Sequence, residues 1–204
     1  MYDIGVATWF KKVEDMHPYQ TLVYLGMFGS GLIFLYLSIA FVFSFQQQFV
    51  LQAFRVPISF LASLGVMVVS GVAASKLLDL YIRDEFVKLK EMVLSMLLLG
   101  LIFTLLQLLG WLELQNMGVR FKGVASESYL FLLTGIHAIH LLGALVFAGM
   151  LYAQLKLSSK DAFKSMLFMI NPFEKMKIRL FVIYWYFMDV IWVVLFLLIF
   201  ASFS

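Results

Sequence analysis

Long apolar stretches alternate along this chain with short polar connections. Five of the stretches are long enough to cross the hydrocarbon core of a bilayer, which takes about 20 residues of helix. They cover roughly residues 22–45, 56–74, 92–111, 129–153 and 180–201. Because they take up more than half of the 204 residues, a soluble domain has no room. The pattern predicts an all-α fold, a single membrane domain over residues 1–204 built as a bundle of five transmembrane helices.

One connection carries a helical pattern of its own. Its apolar residues follow the i, i+3, i+4, i+7 spacing of a single helix face: Phe163, Met166, Leu167 and Ile170. Asn171-Pro172 would end such a helix, since the residue before proline avoids the helical conformation. This predicts a short amphipathic helix over about residues 160–170 at the cytoplasmic membrane surface, with a solvated loop of chance periodicity as the alternative. Residues 1–13 show a weaker version of the pattern.

Composition agrees with a membrane protein. The chain is 63% hydrophobic and 13% charged, with a mean hydropathy of +0.98, outside the range of soluble domains. There is no cysteine, which excludes disulfides, thiolate metal sites and iron–sulfur clusters. No cleavable signal peptide is expected, because Met1 to Gln20 lacks an apolar core.

Lysine and arginine are concentrated in alternate connections. With five crossings, twelve of them share one side: Lys11, Lys12, Lys76, Arg83, Lys88, Lys90, Lys156, Lys160, Lys164, Lys175, Lys177 and Arg179. The other side carries only Arg55, Arg120 and Lys122. Because basic connections stay in the cytoplasm, the N-terminus is predicted to be cytoplasmic and the C-terminus to lie outside. The net charge of +3 then reflects loops beside anionic lipid, and no nucleic-acid partner is predicted.

Three ionisable side chains, His137, His140 and Asp189, lie deep in apolar stretches. Such groups are costly in a bilayer unless they are paired. Neutral histidines that hydrogen-bond between helices are the plainest interpretation; a metal site of the three residues or a short proton relay are alternatives. Two histidines three apart on one helix cannot hold a haem from opposite sides. No catalytic, cofactor-binding or metal-binding residue is therefore predicted in this chain.

Depth in the membrane links two of these side chains. At about 1.5 Å per residue, His140 lies roughly 16 Å from the outer edge and Asp189 roughly 14 Å from the inner edge of a core about 30 Å thick. The two residues would then share one level, and they are predicted to pair if the fourth and fifth helices are neighbours. Trp185 and Trp192 flank Asp189 on one helix face.

Several segments of the apolar stretches contain sequence motifs that occur in a fixed order. Residues 134–143 are TGIHAIHLLG, residues 185–192 are WYFMDVIW, and residues 100–107 are GLIFTLLQ, with Val56-Pro57 and Ser70 in the second stretch. In content and order, these segments resemble subunit III of haem–copper respiratory oxidases (the cytochrome c oxidase subunit III family). The length and the five stretches are similar to its short bacterial form.

The resemblance implies an accessory subunit without a redox centre, in a bacterial inner membrane. Its partners would be oxidase subunit I, which holds the haem and copper, subunit II, and bound phospholipid, with a larger respiratory supercomplex as a further partner. Such a complex reduces O₂ to water and forms a proton gradient. The resemblance assigns buried polar residues to holding the helices together (Gln107, Thr134, His137, His140 and Asp189). Other residues are expected to allow or fill close helix contacts (Gly135, Ala138, Gly143, Trp185 and Trp192).

The chain departs from the family pattern at three positions. Gly31 and Gly110 stand where the family has acids, and Tyr186 stands where it has histidine. A role for this chain's own side chains in proton movement therefore stays open, and so does the electron donor, cytochrome c or quinol. A subunit attached to nitric oxide reductase is one alternative. A small transporter is the other, although the second helix offers only serine and glycine as polar lining.

Overall fold

The computed structural model describes residues 17–47 and 55–203, and this part of the chain is helical. Its six helices are α1 (Pro18–Gln47), α2 (Ile58–Ile82), α3 (Phe86–Asn116), α4 (Ala125–Ser158), α5 (Ala162–Ile170) and α6 (Pro172–Phe203). All except α5 are long and apolar enough to cross a membrane. The all-α architecture predicted from the sequence is confirmed, and its five long apolar helices are compatible with a multi-pass membrane protein. The weaker pattern of residues 1–13 lies outside the described residues.

The membrane helices extend beyond the predicted apolar stretches. Helix α3 has 31 residues, which at about 1.5 Å per residue is roughly 46 Å, against about 30 Å for the hydrocarbon core. The predicted stretches covered apolar residues alone, but a helix does not stop where charged residues begin. Helix α2, for example, continues past Lys76 to Ile82, and its last turn carries the Arg83–Asp79 ion pair.

Four membrane helices form a closed ring, in which α2 contacts α3, α3 contacts α4, α4 contacts α6, and α6 contacts α2. Helix α1 lies outside the ring against α4 and α6. The centre of the ring is aromatic: Trp192 is fully buried, with the rings of Phe60 and Phe103 edge-on to it at 5.5 and 5.3 Å. Side chains that meet at this centre therefore come from α2, α3 and α6.

One end of the bundle is strongly basic. At this basic end α1, α3 and α6 begin while α2 and α4 end, and the His17 ring contacts the Phe173 ring at 5.4 Å. It carries ten described basic residues: Lys76, Arg83, Lys88, Lys90, Lys156, Lys160, Lys164, Lys175, Lys177 and Arg179. Arg55, Arg120 and Lys122 lie at the opposite end. The alternation that was predicted from the sequence therefore appears in the fold.

Helix α5 lies at the basic end and matches the segment predicted as amphipathic. Asp161 caps it, since its carboxylate accepts a hydrogen bond from Phe163 N at 2.9 Å. On the protein side, the hydroxyl of Tyr81 at the end of α2 donates to the carbonyls of Phe168 and Asn171, at 2.9 and 2.8 Å. The apolar face predicted from the spacing is exposed: Phe163, Met166, Leu167 and Ile170. The helix is thus fixed to the bundle by one face and leaves an apolar face uncovered.

A buried ion pair within α6 contacts α4 near the basic end. The Lys177 ammonium lies 2.7 Å from the Glu174 carboxylate, and both side chains are largely buried, at 15% and 8% exposure. Gln154 of α4 completes the contact, because its amide donates to Glu174 at 2.9 Å while its carbonyl accepts from Lys177 at 2.8 Å. Nothing in the sequence pattern had pointed to this cluster.

Candidate functional site

His137 lies in the core of the ring. Its side chain is 1% exposed, and its ring stacks on that of Trp192 with centroids 5.2 Å apart. The rings of Phe103 and Phe34 contact its edges at 5.8 and 6.3 Å. Neither ring nitrogen has a hydrogen-bond partner among the residues that the structure describes. The histidine is therefore enclosed by aromatic rings without a protein partner.

His140 points elsewhere. Its Nδ1 donates to the Ile136 carbonyl of its own helix at 2.8 Å, and its ring contacts that of Phe34 on α1 at 5.5 Å. The predicted pairing of His140 with Asp189 is wrong, although α4 and α6 are neighbours, which was the condition for it. Three residues along a helix turn the side-chain direction by about 300°, so His140 faces α1 and it is His137 that faces α6.

Asp189 is partly buried on α6, beside α2. A Cβ atom at Gly71 would come within 3.1 Å of its carboxylate oxygen, so the glycine leaves room for the acid. No hydrogen-bond partner for Asp189 is found within residues 17–47 and 55–203. His137, Asp189 and Ser70 instead line one small cavity of about 20 Å³. The structure thus brings together a histidine and the acid predicted from the sequence, with a different histidine in the pair.

The tryptophan motif of α6 binds α2 by hydrogen bonds. The Trp185 indole donates to the Ser70 hydroxyl at 3.2 Å. Tyr186 donates from its hydroxyl to the Gly71 carbonyl at 3.3 Å. These contacts place Asp189 against α2 and not against the α1 side of the bundle.

Gln107 and Thr134 lie in helix–helix contacts. The buried Gln107 amide on α3 donates to the Ser63 hydroxyl of α2 at 3.1 Å. Trp111, one turn further along α3, donates to the hydroxyl of the buried Thr134 on α4 at 3.0 Å. Both predicted polar residues therefore connect neighbouring helices.

The small residues of α4 differ in burial. A Cβ atom on Gly135 would lie 3.8 Å from the Trp111 ring, and one on Gly143 would lie 3.9 Å from the Tyr184 hydroxyl. Ala138 is partly buried. Gly135 therefore packs against a side chain of α3, whereas Gly143 is exposed and lies near Tyr184 of α6.

Gly31 and Gly110, the two glycines singled out by the sequence resemblance, differ in their surroundings. A Cβ atom on Gly31 would make an ordinary contact, 3.7 Å from the Phe187 ring. A Cβ atom on Gly110 would overlap the Phe60 ring. Phe60 is fully buried, so position 110 has no room for the side chain of an acid.

Glu113 has a role that the sequence analysis missed. Its carboxylate, from the end of α3, accepts hydrogen bonds from the Ile58 and Ser59 amides, at 2.7 and 3.3 Å, and from the Ser59 hydroxyl. These amides open α2, whose own N-cap, Pro57, offers no side-chain hydrogen bond. The sequence did contain a signal for this contact. Glu113 lies near the end of one helix, and Pro57 leads the start of its antiparallel neighbour, whose first amides need an acceptor.

A groove separates part of α1 from the ring. It has a volume of about 360 Å³, and its walls come from α1, α4 and α6, including Tyr19, Met27, His140, Gly143, Phe147 and Tyr184. The Tyr184 hydroxyl donates to the His140 carbonyl at 3.1 Å. His140 therefore lies on the wall of an apolar groove with a few polar groups.

Among the described residues, no three side chains of histidine, aspartate or glutamate come together as a metal site. The chain matches no protein-family model, and comparison with curated proteins found no match.

Proposed function

We propose that this chain is an accessory, cofactor-free subunit of the subunit III type in a bacterial haem–copper oxidase. Its work is to stabilise the large subunit that carries haem and copper and to hold phospholipid beside it. The observation that carries the proposal is that the motif side chains of α4 and α6 pack on one another, with His137 stacked on Trp192 at 5.2 Å. These motifs thus serve the architecture of the bundle, which is the role that the resemblance assigns to them.

The polar interior supports a structural subunit over a transporter. The cavity lined by His137 and Asp189 has a volume of about 20 Å³, which is room for one water molecule, since a water needs at least about 10–15 Å³ measured in this way. A substrate pathway would need a larger polar lining across several helices. The groove of about 360 Å³ beside α1 instead has the size and the apolar walls that suit part of a lipid acyl chain.

The chain's orientation is part of the proposal. The basic end is cytoplasmic, because lysine- and arginine-rich connections are retained there. Helix α5 then lies at the inner surface of the membrane, where its exposed face of Phe163, Met166, Leu167 and Ile170 enters the headgroup region. Lys160 and Lys164 flank this face and complement anionic lipid.

Purification of the native complex tests the function. A tag on this chain is expected to recover, from bacterial membranes in mild detergent, a large subunit with the absorption spectrum of haem and the O₂-reducing activity of an oxidase. The chain expressed alone should be colourless and free of stoichiometric iron and copper. A haem absorption band in the lone chain would contradict an accessory role. Recovery of a nitric oxide-reducing complex would assign the chain to the related reductase, and recovery of no haem protein would sink the proposal.

Spin labelling tests the placement of α5. Because the chain has no cysteine, single variants such as Met166→Cys and Lys160→Cys label one site each. In liposomes containing phosphatidylglycerol, a nitroxide at residue 166 should collide mainly with lipid-soluble O₂. One at residue 160 should collide mainly with a water-soluble nickel chelate. Equal exposure of both labels to the nickel chelate would place α5 in the aqueous phase.

A further inference from the structure

A small polar cavity lies where α2, α3, α4 and α6 meet. Its volume is about 20 Å³, and a water molecule requires at least about 10–15 Å³ measured in this way. Most of its wall is apolar, with Met67 of α2 and Met188 of α6 on it, and both are almost fully buried. The cavity therefore accommodates one water molecule and nothing larger.

The polar groups on this wall lack protein partners. His137 is 1% exposed, and a neutral imidazole has one donor and one acceptor nitrogen to satisfy. Within the described part of the chain neither nitrogen is hydrogen-bonded, and the same holds for the Asp189 carboxyl group. Buried polar groups in proteins are with few exceptions hydrogen-bonded to protein or to ordered water. The wall thus carries residues of α4 and α6 whose hydrogen-bonding groups have no protein partner, beside a space the size of one water.

A third polar group lies on the same wall. The Ser70 hydroxyl donates to the Met67 carbonyl at 2.9 Å and accepts from the Trp185 indole at 3.2 Å. A hydroxyl oxygen has two lone pairs, so one acceptor position stays available. Buried waters make about three hydrogen bonds on average, and His137, Asp189 and Ser70 supply that number.

We propose that the cavity binds one water molecule that bridges the His137 ring and the Asp189 carboxyl group, with Ser70 as a third partner. The bridge connects α4 to α6 and satisfies both the enclosed His137 ring and the partly buried Asp189 carboxyl group. It is a property of this chain, and it holds or fails whether or not the chain belongs to an oxidase.

Radiolytic footprinting of the purified chain tests the water site. Hydroxyl radicals formed from bound water oxidise the side chains beside it, even where those side chains are buried. Met67 and Met188 are 4% and 3% exposed and line the cavity, whereas Met96 is 0% exposed and does not. Met67 and Met188 should be oxidised several-fold faster than Met96. Oxidation no faster than that of Met96 would overturn the proposal.

Variants test which groups hold the water. In Asp189→Leu, oxidation of Met67 and Met188 should fall to the rate of Met96, while Asp189→Asn, which still hydrogen-bonds, should keep the difference. His140→Phe is the matched control, because His140 lies three residues after His137 on α4 and faces the α1 groove. This variant should leave the oxidation rates of Met67 and Met188 unchanged. The oxidation rate of Met96 also shows whether each variant is folded, because this buried residue is oxidised faster if the bundle opens.

If Asp189→Leu opens the bundle, His137→Leu provides the same comparison from the other side of the bridge. Unchanged oxidation of Met67 and Met188 in a variant whose Met96 stays protected would show that His137 and Asp189 do not hold the water, and would overturn the bridge.

Discussion

Lys177→Met is expected to lower the free energy of unfolding by about 3–5 kcal/mol, the cost of removing one partner of a buried ion pair. Lys177 lies 2.7 Å from Glu174, and both side chains are largely buried at the contact of α6 with α4. Without the ammonium, Glu174 keeps one hydrogen bond, from the Gln154 amide, and loses the opposite charge. Unfolding of the detergent-solubilised chain by sodium dodecyl sulfate, followed by tryptophan fluorescence, measures the change.

Lys175→Met is the matched control for this prediction. It removes the same charge two residues away on α6, but Lys175 is exposed, and surface substitutions usually change stability by less than about 0.5 kcal/mol. The double variant Lys177→Met with Glu174→Leu should recover much of the loss, because an apolar pair can replace a buried ion pair at little cost. If Lys177→Met were no more destabilising than Lys175→Met, the ion pair would contribute nothing to the α4–α6 contact.

Hydropathy predicted the helices because each property it uses is local. In residues 22–45 and the other apolar stretches, the hydropathy of each residue contributes to the predicted span independently of the rest of the fold. The i, i+3, i+4, i+7 spacing with Asn171-Pro172 at its end was enough to place α5, which covers Ala162–Ile170. The helix ends were predicted less well. Backbone hydrogen bonding continues past the first charge, as it does in α2 from Lys76 to Ile82.

The direction of each buried side chain was not predictable from the same information. Depth fixes a position along the helix axis, and the pairing of His140 with Asp189 depended on their two helices being neighbours, which they are. A membrane helix that is apolar on all sides gives no periodicity to show which face meets which neighbour. The histidine that shares a cavity with Asp189 is accordingly His137. Glu113 was missed for a related reason, since its role depends on the start of α2 lying beside the end of α3.

Gly110 shows how packing changes the meaning of a departure from a motif. In the sequence, Gly110 stands where the family that the chain resembles has an acid. That difference indicated only the loss of a carboxyl group that could take part in proton movement. In the structure, the Phe60 ring occupies the space beside Gly110, and Phe60 in turn contacts the fully buried Trp192. The glycine is therefore required by the aromatic core of this chain.

Gly110→Ala is expected to destabilise the chain by about 1–3 kcal/mol, the usual cost of adding a methylene-sized group to a well-packed core. The added Cβ atom would overlap the Phe60 ring. That ring cannot easily swing away, because it is 0% exposed and lies edge-on to Trp192 with centroids 5.5 Å apart. The same sodium dodecyl sulfate unfolding measurement gives the size of the effect, and reduced yield of folded chain should accompany it.

Gly65→Ala on α2 is the control, and it should have the opposite sign. Gly65 is exposed, and no atom lies within 4 Å of the Cβ position there. Alanine is favoured over glycine inside a helix by about 0.8–1.0 kcal/mol, so this variant should be as stable as the parent or more so. Phe60→Leu added to Gly110→Ala should relieve the overlap, so that the double variant loses less than the sum of the two single losses. Equal stability of Gly110→Ala and Gly65→Ala would show that the core yields at Phe60, and strict additivity would place the strain elsewhere.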